Sequence, residues 1–287
     1  MAMNLHLSPE ATMRLPKIMY GTAWKKERTV SLVTDAVLKG FWAIDTACQP
    51  KHYREDLVGA ALLSLQSNHG VKREDLFLQT KFTSIDGQDR TKPLPYDPQT
   101  SITQQILTSF QTSLRNLHTT FIDSYILHSP MRTVPETIEA WKVLIKLQDQ
   151  KKVGLIGLSN TYDVGLLKTL ERECGRGVQV IQNRWYQGND WDKEVVKYCR
   201  QRGIMYQSFW TLSGSPTLLS HPDLRSIAKS SKKTEAQVIF KLAQLNGVVP
   251  ISGTTSELHM KEDVAVEYLE LLPGNTEQVQ AVQELLF

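Results

Sequence analysis

Cysteine is scarce in this chain of 287 residues, which has only Cys48, Cys174 and Cys199. Three widely separated thiols form neither a disulfide framework nor a CxxC metal pair, and they suit a reducing compartment. No run approaches the roughly 18 apolar residues that cross a membrane. Residues 1–16 hold no apolar core of a secretory signal, so the expected location is cytoplasmic. Charge of one sign is missing too, since 33 Lys and Arg against 30 Asp and Glu leave a net +3. A nucleic-acid binder carries a basic excess or stripe, whereas a short cluster such as Lys232-Lys233 reads as solvated surface. A glycine-rich phosphate loop is also absent. The first apolar run leads into Gly21-Thr22-Ala23-Trp24, and the only G-x-G, Gly175-Arg176-Gly177, precedes a strand instead of following one.

What the chain does have is the composition of a folded protein, 41% hydrophobic and 22% charged. Short apolar runs recur at 18–20, 42–44, 76–79, 121–127, 153–158, 178–181, 204–209 and 248–251. Between them, apolar residues recur with helical spacing, as in Ile102, Ile106, Phe110, Leu114 and Leu117. Ser101 or Thr100 suits the cap of that helix. Gly40, Gly203 and Gly247 each follow a helical pattern and precede a strand, where only glycine turns left-handed without steric cost. Strands alternating with helices require parallel pairing, and eight such units predict a (β/α)₈ TIM barrel. The reading is a single domain over 1–287, with an N-terminal hairpin at 5–16 and a short C-terminal helix at 276–286. The polar segments 83–99 and 211–221 fall after the third and seventh strands, on the face where barrel sites are built.

On that face the strand ends converge. They carry Asp45, Lys81, His128, Ser159-Asn160, Gln182, Phe209 and Gly253-Thr254-Thr255 in turn. A carboxylate, an ammonium, an imidazole and amides around one rim make a polar site on a packed scaffold. Taken singly, each also reads as a cap, a surface lysine or a turn histidine. Their placement at successive strand ends is what points to chemistry. No metal-ligating spacing accompanies them.

These segments resemble the aldo-keto reductase family. Gly40-Phe41-Trp42-Ala43-Ile44-Asp45-Thr46-Ala47 and Glu55-Asp56-Leu57-Val58-Gly59 are similar to its first signature. Leu78-Gln79-Thr80-Lys81 and Asp123-Ser124-Tyr125-Ile126-Leu127-His128 are similar to the strands bearing its lysine and histidine. The likeness runs from Gly21 to Asp263 with the motifs in order. It implies NAD(P)H-dependent reduction of an aldehyde, ketone or sugar carbonyl by a tetrad of Asp45, Tyr53, Lys81 and His128. In that scheme a tyrosine donates the proton, Lys81 draws it toward the phenolate, Asp45 holds the lysine, and His128 orients the carbonyl.

The match departs from the family at the acid. Pro50 stands five residues after Asp45, where the family has its tyrosine, and Gln49-Pro50-Lys51 reads as an insertion that moves Tyr53 to eight. Counting from Glu55 and Gly59 places His52 at the tyrosine's position, so His52 is the alternative acid or a substrate contact. That departure also keeps open a lyase or isomerase on the same barrel, or a cofactor-binding regulatory subunit. The resemblance implies a cofactor set of Thr22, Asp45, Ser159, Asn160, Gln182, Phe209, Leu212, Gly253, Thr254, Thr255, His259, Glu262 and Asp263. Trp24, His52, Trp185 and Trp210 are expected to line the substrate pocket, which the short tail is expected to leave open. Gly253 and His259 replace the lysine and arginine with which the family grips the 2′-phosphate, so NADPH is expected but with a weakened preference over NADH. The expected partner is a small carbonyl compound, with no nucleic acid and no membrane. The oligomeric state stays open.

Overall fold

The computed structural model describes residues 14–271, 274 and 276–287. Eight strands form one closed barrel: β1 (Met19–Gly21), β2 (Ala43–Asp45), β3 (Phe77–Phe82), β4 (Ile122–Leu127), β5 (Val153–Ser159), β6 (Val180–Arg184), β7 (Met205–Phe209) and β8 (Val248–Ser252). Every neighbouring pair is parallel, and β1 closes the ring on β8 through Met19↔Ile251. Each apolar run of the sequence reappears as a strand, with ends moved by up to three residues. The expected hairpin falls mostly on 5–13, outside the described residues, and 14–16 form no strand.

Helices wrap the outside: α1 (Thr29–Leu38), α2 (Glu55–His69), α3 (Ile102–Asn116), α4 (Val134–Asp149), α5 (Val164–Cys174) and α6 (Lys193–Arg202). They continue with α7 (Pro216–Leu219), α8 (Pro222–Ser231), α9 (Glu235–Leu245), α10 (Glu257–Ala265) and α11 (Thr276–Leu286). Ser101 caps α3 by accepting from the Gln104 amide at 3.2 Å. The glycines at the helix-to-strand turns have φ of 111° at Gly40, 65° at Gly203 and 76° at Gly247, as the turn requires.

Side chains alternate in and out along each strand. Inward, Met19, Ala43 and Phe77 pack together near the starts of their strands, and Ile126, Val180 and Met205 form a second apolar group. Outward, Leu78, Tyr125, Ile156 and Ile181 meet the helices in the main core. Continuing the inward phase of β3 from Phe77 brings Gln79 and then Lys81 into the barrel. The packing of α2 on α3 depends on Gly59, where an added Cβ would lie 1.8 Å from the Asn116 carbonyl oxygen.

Between β6 and α6, three successive residues adopt left-handed backbone: Asp190 (φ 49°), Trp191 (55°) and Asp192 (49°). Such a conformation costs on the order of 1 kcal/mol per residue without glycine. It is offset by burial of the Trp191 ring against Trp185 at 4.9 Å and by the bonds of the buried Asp192. The Asp192 carboxyl accepts from Asn183 Nδ2 at 2.7 Å and from the Tyr206 hydroxyl at 2.8 Å. Burial, only partly countered by these bonds, pushes this acid up to about 6.

Two stability outcomes follow from this packing. Gly59→Ala must push α2 from α3, so it should cost about 1–3 kcal/mol and lower the melting temperature by several degrees. A melt equal to wild type would show that α2 shifts freely. At Asp192 the folded pKa lies above the unfolded one. The fold therefore favours the protonated acid, and that stabilisation is lost as pH rises through about 6. Asp192→Asn keeps one oxygen for both donors without a charge. It should match wild type near pH 4 and be more stable by on the order of 2–3 kcal/mol at pH 7.5. A variant that melts below wild type at pH 7.5 would show that the carboxylate is needed.

Candidate active site

Asp45 ends β2 and Lys81 lies near the end of β3, and the register pairs Asp45 with Gln79 across the two strands. Lys81 Nζ donates to both Asp45 oxygens at 2.7 Å and to the Thr46 carbonyl at 2.8 Å. Both side chains are buried. A buried pair of charges holds only when its remaining donors and acceptors are also satisfied. Here all three ammonium protons have acceptors, and Asp45 Oδ1 also accepts from Gln79 Nε2 at 2.8 Å and Gln182 Nε2 at 2.9 Å. Burial lowers Lys81 from the ordinary ammonium range, and Asp45 opposes that shift.

The turn at 49–53 brings Tyr53, not His52, to this pair. Gln49 starts a tight turn in which the His52 and Tyr53 amides both bond its carbonyl, at 3.2 and 3.0 Å. Its own side chain donates to the Gly87 carbonyl at 2.7 Å. Two residues after Tyr53, Glu55 opens α2 and accepts from the Thr80 hydroxyl at 2.5 Å and Asn116 Nδ2 at 3.0 Å. Tyr53 is thus tied to the strand that carries Lys81. The Tyr53 ring centre lies 5.1 Å from Lys81 Nζ and 5.8 Å from the His128 ring, which it meets at an angle near perpendicular. His52 instead stacks on Trp24 at 3.8 Å.

One expectation about the acid is corrected. The net shift at Tyr53 runs away from the phenolate, and Lys81 gives its three protons to Asp45 and Thr46 with none left for the phenol. Burial first, then the Asp45 charge, hold the Tyr53 hydroxyl above the usual phenol range. His128 Nδ1 lies 2.7 Å from the Thr83 hydroxyl. Burial, with the Lys81 charge adding to it, pushes this imidazole down to about 3. A neutral ring has one donor and one acceptor nitrogen. When Thr83 donates to Nδ1, the Nε2–H is left for a ligand.

On the side expected to hold a cofactor, Ser159 Oγ donates to the Gln182 carbonyl at 2.7 Å. Asn160, at φ 53°, reaches the His128 carbonyl at 2.8 Å. Thr22 fastens β1 to β2 through its hydroxyl and amide, both donated to the Asp45 carbonyl at 2.9 and 3.0 Å. Phe209 ends β7 half-buried, Leu212 packs against the core behind it, and Arg184 lies 4.8 Å from the exposed Trp210 ring. Beyond β8, Gly253, Thr255 and His259 are exposed and Thr254 and Glu262 half-buried, beside the N-terminus of α10.

Two expected residues are turned away. Trp185 is fully buried, between Trp191 at 4.9 Å and Phe287 at 5.5 Å, so it builds the core and does not line a pocket. Asp263 is buried too, accepting from Ser252 Oγ at 2.6 Å, and burial pushes it up to about 6. Its carboxyl therefore serves the β8–α10 junction and not a ligand.

Three polar residues enter that the sequence reading missed. Lys25, in the loop after β1, donates from Nζ to the Gly253 carbonyl, where the resemblance places a lysine of the β8 turn. Burial, with Arg28 adding to it, lowers Lys25 to about 8. Gln79 and Gln207 lie under Asp45 in the barrel, both fully buried. The available signal was their position, as polar residues inside apolar runs, with Gln79 two before Lys81 and in its inward phase.

The family profile described as "Aldo/keto reductase family" matches residues 12–286. An uncharacterized oxidoreductase of Bacillus subtilis, YtbE, is 28% identical over 290 residues, spanning 99% of this chain and 96% of the relative. The crystal structure of an aldo/keto reductase from Brucella melitensis superposes with a TM-score of 0.78 at 27% identity, over 94% of this chain and 95% of that one. A Bombyx mori aldo-keto reductase solved in complex with NADP has a TM-score of 0.78 over 94% of this chain and 89% of that one, and at 20% identity it speaks for the fold. With the profile covering nearly the whole length, and Asp45, Lys81 and His128 gathered at one end of an eight-stranded barrel, the chain belongs to the aldo/keto reductase family.

Proposed function

We propose that this chain reduces a small aldehyde, ketone or sugar carbonyl with NADPH, and that Tyr53 is its proton donor. The observation that carries this reading is the convergence of Tyr53, the Asp45–Lys81 pair and the neutral His128 at the C-terminal end of the strands. The donor set suits the cofactor. Ser159, Asn160 and Gln182 offer hydroxyl and amide groups for a carboxamide, and the Phe209 ring offers a flat face. When bound, the nicotinamide supplies hydride to the carbonyl carbon. The protein supplies the rest. His128 donates Nε2–H to the carbonyl oxygen and orients it, its low pKa keeping it a neutral donor throughout the ordinary pH range. Tyr53 stays protonated until the oxygen gains negative charge, then gives up its proton beside the Lys81 ammonium. Asp45 holds that ammonium in place. Trp24 and Trp210, 65% and 47% exposed, flank the entrance and provide aromatic surface for the substrate.

In this reading the 2′-phosphate of NADPH lies against Lys25 and the N-terminal amides of α10. Lys25 comes from the first strand's loop, yet stands over Gly253, where the family's own lysine is missing. A helix N-terminus favours an anion, and the ammonium adds a charge that Gly253 lacks.

Tyr53→Phe should lower kcat by at least about 100-fold with little change in cofactor affinity, while His52→Ala acts mainly on KM. Full turnover by the Tyr53→Phe variant, with loss in His52→Ala, would move the acid to His52. Lys25→Met should weaken NADPH more than NADH by about 10- to 100-fold, as expected for a charged hydrogen bond. In the wild type the preference for NADPH should fall as pH rises through about 8, where the Lys25 ammonium loses its proton. Dissociation constants for both cofactors between pH 6 and 9 check this. A preference that falls between pH 6 and 7 instead would assign the phosphate to a histidine.

A further inference from the structure

Five strands deliver polar side chains into one buried cluster beneath the site: Asp45, Gln79, Ser124, Gln182 and Gln207, none more than 4% exposed. Their hydrogen bonds have only one consistent arrangement. Asp45, paired with the Lys81 ammonium, is a carboxylate and only accepts. Gln79 and Gln182 must therefore both turn their NH₂ groups toward it, at 2.8 and 2.9 Å. The second proton of each then points at Gln207 Oε1, at 2.7 Å from Gln79 and 3.0 Å from Gln182. Gln207 is thereby oriented as well. Its own Nε2 returns to Gln79 Oε1 at 2.9 Å, and Ser124 Oγ donates to the same oxygen at 2.7 Å. Gln79 and Gln207 close a reciprocal amide pair in which every proton and oxygen is used, with Met205 Sδ taking the last Gln207 contact at 3.2 Å.

Gln182 is the one member left with a free end. Both protons of its amide are committed, while its Oε1 accepts from no described residue and is not sealed from solvent. An unrestrained glutamine could rotate its amide and present either a donor or an acceptor. This one is locked with the oxygen outward. We propose that Gln79 and Gln207 are positioning residues that hold the Gln182 amide as an obligate acceptor, so that the site selects a nicotinamide carboxamide for its N–H. The inference rests on the reading that the chain binds a nicotinamide dinucleotide. It concerns two residues that do not reach the cofactor themselves: Gln207 Oε1 accepts the second Gln182 proton, which Asp45 leaves free, and Gln79 fixes Gln207 through their reciprocal pair.

The test compares NADP⁺ with its 3-acetylpyridine analogue, which keeps the ring carbonyl but replaces the amide NH₂ with a methyl group. Dissociation constants are read from quenching of tryptophan fluorescence, and competition by 2′,5′-ADP reports on the phosphate end alone. Wild type should bind NADP⁺ about 3- to 10-fold more tightly than the analogue, the range for one neutral hydrogen bond. In Gln207→Met the ratio should fall at least about twofold through weaker NADP⁺ binding, as Asp45 alone is left to hold the amide, with the analogue and 2′,5′-ADP changed less than that. Gln79→Met gives the same comparison should Gln207→Met lose the wild-type melting transition. A wild-type ratio near one overturns the proposal without any variant. So does an undiminished ratio in a variant that melts like wild type, or a uniform loss of all three ligands, which marks a purely structural role. Wild type that binds neither dinucleotide overturns the cofactor reading itself, a result distinct from the others.

Discussion

A salt bridge buried at the end of two adjacent strands organises this site. Asp45 and Lys81 sit where water is excluded, and removing one partner would strand the other's charge at a cost of about 3–5 kcal/mol. Such a pair persists only when its surroundings complete the hydrogen bonding, and here they do so on both sides. The Thr46 carbonyl takes the third proton of Lys81, and Gln79 and Gln182 fill the remaining capacity of Asp45. The amide cluster below takes its orientation from that carboxylate. Above, the lysine's charge helps keep His128 neutral, and the carboxylate helps keep Tyr53 protonated. One ion pair therefore adds to burial in keeping two groups above it neutral, and it sets the hydrogen-bond polarity of three amides around it.

Closure of the barrel is the second constraint. Because β1 pairs with β8, groups more than two hundred residues apart meet at one corner. Lys25 reaches the Gly253 carbonyl there, and the Tyr20 hydroxyl donates to the Thr254 carbonyl at 3.0 Å. The same corner holds the N-terminus of α10, so a cation and a helix dipole of matching sign lie together. The rim also concentrates strained backbone. Trp24 (φ 64°), Asn160 (53°) and Trp210 (65°) are all left-handed without being glycine. Conformations of this kind persist where surrounding contacts over-determine them, and they gather at ligand-facing loops. Here the contacts are the Trp24–His52 stack, the Asn160 bond to His128 and the Arg184 contact with Trp210.

Much of this was legible along the chain. The eight apolar runs, punctuated by glycines that close helices, dictated alternating strands and helices. Parallel strands in such number have few solutions other than a barrel. Asp45, Lys81 and His128 could be read off strand ends because a parallel barrel gathers those ends on one face. Helix α11 was also expected, with the bounds it has. Tyr53 was preferred to His52 on the resemblance alone, and which of the two rings reaches Lys81 depends on the path of the turn at Gln49.

What the sequence by itself determined is the set of elements and the face on which they build a site, since both follow from local patterning of apolar residues, glycine and strand ends. Only the tertiary structure decided which way individual side chains point and whom they meet. Trp185 looked available beside a strand end, but Trp191 and Phe287 close over it. Asp263 looked free on α10, but Ser252 draws it inward. Lys25 had no signal at all until β1 closed on β8. The physical reason is that strand and helix signals are short-range. A side chain's partner is set by inward or outward phase and by the ring's closure, which join residues across the whole length of the chain.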